Sequence, residues 1–325
     1  MKPPIPVNPM GETQTARPAN GFSPFPWFIL CVIAMASLLA PPDRAGAETE
    51  MAGVVRGKGV RVRYAEGLEG AARETADRYP GVRADLEKTF GWSLPVTPTV
   101  YLAGDREGFG RMAGNTHVVA VAWTARNRIL MDWTRVNRDP FTLSETLKHE
   151  VCHLLLHHHI REEHLPRWLD EGLCQWVSDG LTELTFRTSD DALQQAVLTD
   201  RVFGLDQLSD TFPAAPQDMA LAYAEGKSVV KYIIRRYGVE GLMAMLDHLK
   251  QGHDLETALG RAFSLTPDGL ERKWRRHLSG RVNWLTWIAS HMYQILFFLA
   301  AVAAAVGFFR QVRRRRQYAD EEDEP

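Results

Sequence analysis

The stretch H-E-V-C-H at residues 149–153 matches the pattern H-E-x-x-H and lies in a segment, 142–159, whose spacing predicts a helix. Four residues make slightly more than one helical turn, so His149 and His153 are expected to project from one face. Two neutral imidazoles at this spacing can bind one zinc ion. Glu150 would then lie beside the metal's open position, where a carboxylate can accept a proton from water.

A third ligand is needed, because catalytic zinc usually has three protein ligands. His159 has the spacing of the H-E-x-x-H-x-x-G-x-x-H enzymes, but Leu156 stands where those enzymes need a glycine, so the helix should carry His159 away from the metal. Glu171 lies on a second predicted helix, after a break at Pro166 that allows antiparallel packing on the first. Asp170 is the neighbouring carboxylate, but it points about 100° away around the helix. The residues favour Glu171, with one zinc ion per chain.

These residues resemble a known family. The zinc motif followed by W-L-D-E-G at 168–172 is similar to the gluzincin metallopeptidases, a peptidase MA-like group with thermolysin- and aminopeptidase-type catalytic domains. The resemblance covers roughly residues 95–280 and extends to A-Y-A-E-G-K at 222–227. It implies zinc-dependent hydrolysis of peptide bonds with Glu150 as the base. It also implies that Tyr223 stabilises the oxyanion of the tetrahedral intermediate.

The resemblance has limits, and two other functions stay open. The sequence lacks the G-x-M-x-N motif with which aminopeptidases of the family recognise an N-terminal amine, so aminopeptidase specificity is not implied. One alternative is a membrane-anchored binding or sensing module that retains zinc without turnover. The other is a structural scaffold without metal. An intact Glu150 argues against the module, because a non-catalytic zinc site needs no base there. The sequence identifies neither the substrate nor endo- or exopeptidase action.

The fold is predicted to be α+β. Helical patterns occur at 71–90, 105–112 and throughout the second half, and strand patterns occur at 59–64, 96–102, 118–123 and 128–131. The first helical pattern contains Pro80-Gly81, which leaves a break into two helices as the alternative, and Pro98 suggests that its strand lies at a sheet edge. The last strand precedes the zinc helix and is expected to line the cleft. We therefore predict a small mixed sheet within 48–135 and a mainly helical, zincin-like part within 136–280.

Two apolar segments flank these parts. The first, 27–40, is followed by A-G-A at 45–47 and predicts a secretory signal peptide over 1–47, with an uncleaved N-terminal anchor as the alternative. The second, 284–309, is long enough for a transmembrane helix, and arginines follow it in the tail 310–325. The positive-inside rule makes this tail cytoplasmic. The catalytic domain is therefore expected outside the cytoplasm, in the periplasm or the extracellular space.

The composition of the 325-residue chain is globular, with 45% hydrophobic and 24% charged residues and a net charge of −2. This balance gives no reason to expect nucleic-acid binding. The expected partners are a peptide or protein substrate and the membrane, which one C-terminal helix would cross. The oligomeric state is left open. The mature chain would contain Cys152 and Cys174, for which two buried thiols are favoured over a disulfide.

Overall fold

A computed structural model describes residues 51–114, 118–136, 138, 142–178, 192–213, 215–282 and 285–322. Its strands are β1 Met51–Gly57, β2 Val60–Ala65, β3 Thr99–Ala103, β4 Ala120–Trp123 and β5 Arg128–Asp132. Its helices are α1 Glu69–Phe90, α2 Arg106–Ala113, α3 Leu143–His159, α4 Arg167–Val177, α5 over 192–198, α6 Gln207–Asp210, α7 Pro216–Lys250, α8 Leu255–Phe263, α9 Pro267–Val282 and α10 Leu285–Glu322. The predicted signal segment, 1–47, lies outside the described residues.

The strands form one mixed sheet in the order β1-β2-β3-β5-β4. The three inner strands are parallel, while β1 and β4 pair antiparallel at the two edges. Side chains alternate between the two faces of each strand. Val60 and Val62 of β2 enter the core beneath α1, whereas Arg61 and Arg63 face the other side. A mixed sheet followed by a mainly helical half confirms the predicted α+β class.

The two prolines lie within or beside regular elements. The helix predicted over 71–90 is confirmed as the continuous α1, with Pro80 inside it, because losing one backbone hydrogen bond costs less than burying the apolar side of the helix contributes. Pro98 does not mark an edge strand, since β3 lies between β2 and β5. This proline precedes the first residue of the strand, and its carbonyl accepts the Arg61 N–H at 3.0 Å. β1 was not predicted, because Gly53 and Gly57 interrupt its pattern.

The helical half follows its sequence patterns closely. α3 begins after Thr142, whose hydroxyl accepts the Glu145 N–H at 3.3 Å and so caps the helix. The helical pattern predicted for the second half includes the long helix α7, which changes direction at Gly238. That residue has φ 75° and ψ 170°, a conformation that is accessible mainly to glycine.

Helices α4 and α7 cross at two glycines. A Cβ on Gly172 would lie 2.4 Å from the carbonyl oxygen of Gly226, and a Cβ on Gly226 would lie 2.7 Å from that of Trp168. Both contacts are with backbone, which cannot rotate aside as a side chain does. Glycine at both positions therefore allows the two helices to approach closely. The crossing brings Tyr223 of α7 against Glu171 of α4.

Helix α10 contains one stretch, His291–Gln311, that is long and apolar enough to cross a membrane. It is the one such stretch among the residues that the structure describes. By length and composition it overlaps the span predicted over 284–309. The helix continues past that span through the arginine run to Glu322.

Candidate metal centre

Three side chains predicted as ligands meet in the buried space between α3 and α4. His149 and His153 lie on α3, Glu171 lies on α4, and each side chain is 0% exposed. The two Nε2 atoms are 3.1 Å apart, and each lies 3.6 Å from Oε2 of Glu171. A tetrahedral zinc ion with bonds of about 2.0–2.1 Å would separate its ligand atoms by roughly 3.3 Å. The triangle of donor atoms therefore has the size that a zinc ion requires.

The two imidazoles titrate differently. Burial lowers the pKa of His149. Burial acts in the same direction on His153, but the negative charges of Asp170 and Glu171 outweigh it and raise the pKa of His153 to about 10. Zinc binds neutral imidazole, so its binding would displace a proton from His153. The carboxylates that raise this pKa would also stabilise a divalent cation at the same place.

Asp170 lies behind His153 and does not join the triangle. Its Oδ1 accepts a hydrogen bond from Nδ1 of His153 at 2.9 Å, and its Oδ2 is 3.0 Å from Nε2 of His157. Burial disfavours its charge, but the two histidines lower its pKa below the usual range. An aspartate that holds Nδ1–H leaves Nε2 of His153 available for a metal. The spacing of His153 and His157 on one face of α3 is the sequence signal for this role.

Asp170→Asn is expected to weaken zinc affinity by about 10- to 100-fold, the usual effect of changing a residue that hydrogen-bonds a metal ligand. Asparagine keeps the shape and can still accept the His153 N–H, but it removes the negative charge that makes the imidazole a stronger ligand. Competition with a chromogenic chelator measures the affinity. Asp77→Asn, at an exposed position of α1, is the matched control. An unchanged affinity in Asp170→Asn would show that this contact does not tune the site.

Glu150 is buried next to the triangle, on the helix that packs against β4. Neither of its carboxylate oxygens has a hydrogen-bond partner of normal geometry among the described residues. Burial raises its pKa to about 8, while the charge of His153 and a weak hydrogen bond with the backbone of Ala122 act in the opposite direction. A buried carboxylate with so little hydrogen bonding is costly, and such groups concentrate at functional sites. Its environment is suited to exchanging a proton near neutral pH.

Tyr223 adjoins the triangle from α7. Its hydroxyl donates to Oε1 of Glu171 at 3.4 Å, and its ring meets Phe212 edge-on at 5.1 Å between centroids. Burial and the charge of Glu171 raise its pKa well above the usual value, so the hydroxyl stays protonated and can donate. The charge of Arg167 acts against this rise in pKa. Its guanidinium carbon lies 5.3 Å from the centroid of the Phe212 ring, the ring that Tyr223 contacts. The role of Tyr223 on an oxyanion stays a prediction.

His159 is not part of the centre, as the unbroken helix predicts. Its Nε2 lies 2.8 Å from the carbonyl oxygen of Ser93, and its ring packs on Trp92. That β5 lines the cleft stays a prediction; in the sheet β5 is an inner strand. β4 forms the sheet edge and packs against α3, a placement that depends on the order of strands.

The two cysteines are buried free thiols, as favoured from the sequence. Cys174 lies beside the centre, with its Sγ 3.4 Å from Nδ1 of His153. Burial and a hydrogen bond with Cys152 raise the pKa of Cys174 well above its usual value. Both side chains therefore act as small apolar groups that fill the space between α3 and α4.

Comparison with known proteins identifies a family for this chain. The model of the peptidase MA superfamily matches residues 110–280, more than half of the chain. No curated protein sequence matches the chain. Similar solved structures include an M1 zinc metallopeptidase from Deinococcus radiodurans, with 16% identity, a TM-score of 0.40, and coverage of 69% of this chain and 51% of that chain. Yeast LTA4 hydrolase in complex with bestatin has 12% identity, a TM-score of 0.40, and coverage of 72% and 38%. The chain thus spans about half or less of the length of these proteins.

Proposed function

The chain belongs to the peptidase MA superfamily, and from this premise we propose that it is a zinc metallopeptidase that hydrolyses peptide bonds outside the cytoplasm. The observation that carries the proposal is the buried triangle of His149, His153 and Glu171, with the carboxylate of Glu150 adjoining it. Three ligands are the number that catalytic zinc sites use, which leaves a position for water or substrate.

Each residue has a distinct part in the proposed reaction. Zinc held by the triangle would supply a Lewis acid that polarises the peptide carbonyl and lowers the pKa of water to about 7. Glu150 takes a proton from the attacking water and later delivers it to the leaving amine. Asp170 holds His153 in the orientation that presents Nε2 to the centre. The protonated hydroxyl of Tyr223 donates a hydrogen bond to the oxyanion.

The position of β4 at the sheet edge is an argument for a peptide as the substrate. It lies at the end of the sheet and packs against the helix that carries Glu150. An extended peptide can pair with a sheet edge through backbone hydrogen bonds, largely independently of its side chains. We propose that the substrate adds to this edge, which would place its backbone along α3.

Tyr223→Phe is expected to lower kcat by about 100-fold, the usual cost of removing one donor to an oxyanion, and to leave zinc content unchanged. The ring and its contact with Phe212 are kept, so that only the hydroxyl is lost. Steady-state hydrolysis and zinc analysis measure the two quantities. Tyr237→Phe on the same helix is the control, because its ring packs on Phe263, away from the triangle. Equal kcat in Tyr223→Phe and wild type would contradict the role.

The membrane arrangement is part of the proposal. The apolar stretch His291–Gln311 and the arginines at 313–316 support a single C-terminal span with a cytoplasmic tail over 310–325. We propose that a signal peptide over 1–47 is removed and that the parts within 48–135 and 136–280 form the external domain. The N-terminal sequence of the mature protein and its digestion by protease in intact cells test these boundaries.

One experiment tests the function directly. The full chain is purified in detergent, its zinc is counted, and a peptide library is digested before and after treatment with a chelator. We expect one zinc ion per chain, cleavage that chelation abolishes, and recovery on adding zinc. Zinc without cleavage would favour the binding or sensing module, whereas a chain that binds no zinc would overturn both functions.

A further inference from the structure

The sheet face opposite α1 carries a groove that the metal centre does not use. It has a volume of about 880 Å³ and is bordered by all strands except β4. Every charged side chain that the structure describes in its lining is an arginine; we call it the arginine groove, and these residues are Arg61, Arg63, Arg126 and Arg128. The remaining lining residues are Met51, Gly53, Val54, Val96, Thr97, Thr99, Tyr101 and Asn127.

The strand register brings the arginines together. Arg61 of β2 pairs with Thr99 of β3, which pairs with Arg128 of β5, so the three side chains form one row across parallel strands. Neighbouring strands are about 4.8 Å apart, which places the backbones of the two arginines about 10 Å apart. In the next row on the same face, Arg63 pairs with Tyr101.

Tyr101 organises two of the guanidinium groups. The guanidinium carbons of Arg63 and Arg128 lie 5.8 and 5.7 Å from the centroid of its ring. Such contacts restrict a side chain that would otherwise have large rotational freedom. The two arginines approach the ring from the strands on either side of β3, so they are partly preorganised for a ligand between them.

The concentration of like charge has a stability cost. Arg56 of β1 pairs directly with Arg61 of β2, and like charges directly opposite each other destabilise a sheet. With the four groove arginines, this side of the sheet carries five cationic side chains, four on β1, β2 and β5 and one, Arg126, on the turn before β5. Guanidinium groups that strand register and one aromatic ring bring together at a groove form a positively charged surface, which favours an anionic ligand.

We propose that the arginine groove binds the phosphate group of a phosphate ester. Guanidinium groups donate two parallel hydrogen bonds to phosphate, and a phosphate can receive them from more than one arginine. The hydroxyls of Thr97 and Thr99 add neutral donors at the same place. Met51, Val54 and Val96 provide an apolar border for the organic part of the ester. A lipid headgroup and a soluble phosphate ester share this chemistry.

Binding assays on the detergent-solubilised full chain test the proposal at constant ionic strength. The probes are inorganic phosphate, glycerol phosphate, and mixed micelles with and without phosphatidylglycerol, with sodium acetate as the carboxylate comparison. We expect phosphate-bearing probes to bind and acetate to bind at least about 10-fold more weakly. Binding of glycerol phosphate assigns a soluble ester, whereas binding of phosphatidylglycerol micelles alone assigns a lipid headgroup. No binding of any phosphate probe, or equal binding of acetate, would overturn the proposal.

Variants locate the binding. The double variant Arg61→Gln with Arg128→Gln is expected to weaken phosphate affinity by at least about 10-fold. Arg61→Lys with Arg128→Lys should keep part of the affinity, because lysine keeps the charge but cannot donate two parallel hydrogen bonds. Arg73→Gln with Arg236→Gln removes the same charge at exposed positions of α1 and α7 and should change affinity less than about 2-fold. Circular dichroism reports whether each variant folds. If the double glutamine variant does not fold, Arg126→Gln on the exposed turn replaces it. Equal losses in groove and control variants would mean that net charge alone attracts the probe and would overturn the site.

Discussion

Glu150→Gln is expected to keep one zinc ion per chain and to lower kcat by about 10²- to 10⁴-fold, the range that a general base contributes. Glutamine has nearly the shape of glutamate but cannot accept the proton of the attacking water. The Glu150 side chain is fully buried, and the Oε1 atom of glutamine can still accept the weak hydrogen bond from the backbone of Ala122, so the exchange disturbs the surroundings little. Zinc analysis and single-turnover hydrolysis of a peptide from the library measure both effects.

The control for this variant is Glu145→Gln, on the same helix but outside the triangle of ligands. Its activity should match that of the wild type. Hydrolysis at the wild-type rate in Glu150→Gln would exclude Glu150 as the base. Loss of zinc together with activity would instead show that the carboxylate supports the metal centre, and a different residue would then have to accept the proton.

Glu171→Ala is expected to lower zinc affinity by more than the roughly 10- to 100-fold that results when a residue behind a ligand is changed. Its rate of peptide hydrolysis is expected to fall to background. The change removes one corner of a triangle whose sides are 3.1, 3.6 and 3.6 Å, and two imidazoles alone bind zinc weakly. It also removes the acceptor of the Tyr223 hydroxyl. Zinc that remains after dialysis against a weak chelator is measured by mass spectrometry.

Glu163→Ala, at an exposed position before α4, is the control for loss of a glutamate in this region. Circular dichroism shows whether Glu171→Ala keeps its helices, since a buried cavity between α3 and α4 also reduces stability. A folded Glu171→Ala protein that still holds one equivalent of zinc would exclude this residue as a ligand. Asp170 would then be the carboxylate to test.

Some parts of the centre are readable from local sequence. The pairing of His149 and His153 follows from helical periodicity, because the atoms involved lie within little more than one turn. The exclusion of His159 follows from Leu156, since a helix continues where no glycine or proline stops it. The break at Pro166 and the element that contains Glu171 indicate a second helix, and the structure brings its glutamate to the histidines.

Other features depend on contacts between distant segments. The sequence offers Asp170 as a second carboxylate beside Glu171, and only the packing of α4 on α3 shows that it holds His153 and His157. Pro98 suggested an edge strand, but the strand order places β3 inside the sheet. Sequence spacing cannot reveal such relations, because they depend on which element covers which face.

The sequence by itself determined the chemistry that the chain carries: two histidines and a glutamate on one helix, and a carboxylate on the next. It also determined the apolar C-terminal stretch, since length and composition define it. The tertiary structure decided how these groups meet, through the close crossing at Gly172 and Gly226 and the placement of β4 at the sheet edge. It alone assembled the arginine groove, because strand register joins residues more than sixty positions apart. Periodicity acts over a single turn or strand, whereas packing relates whole elements.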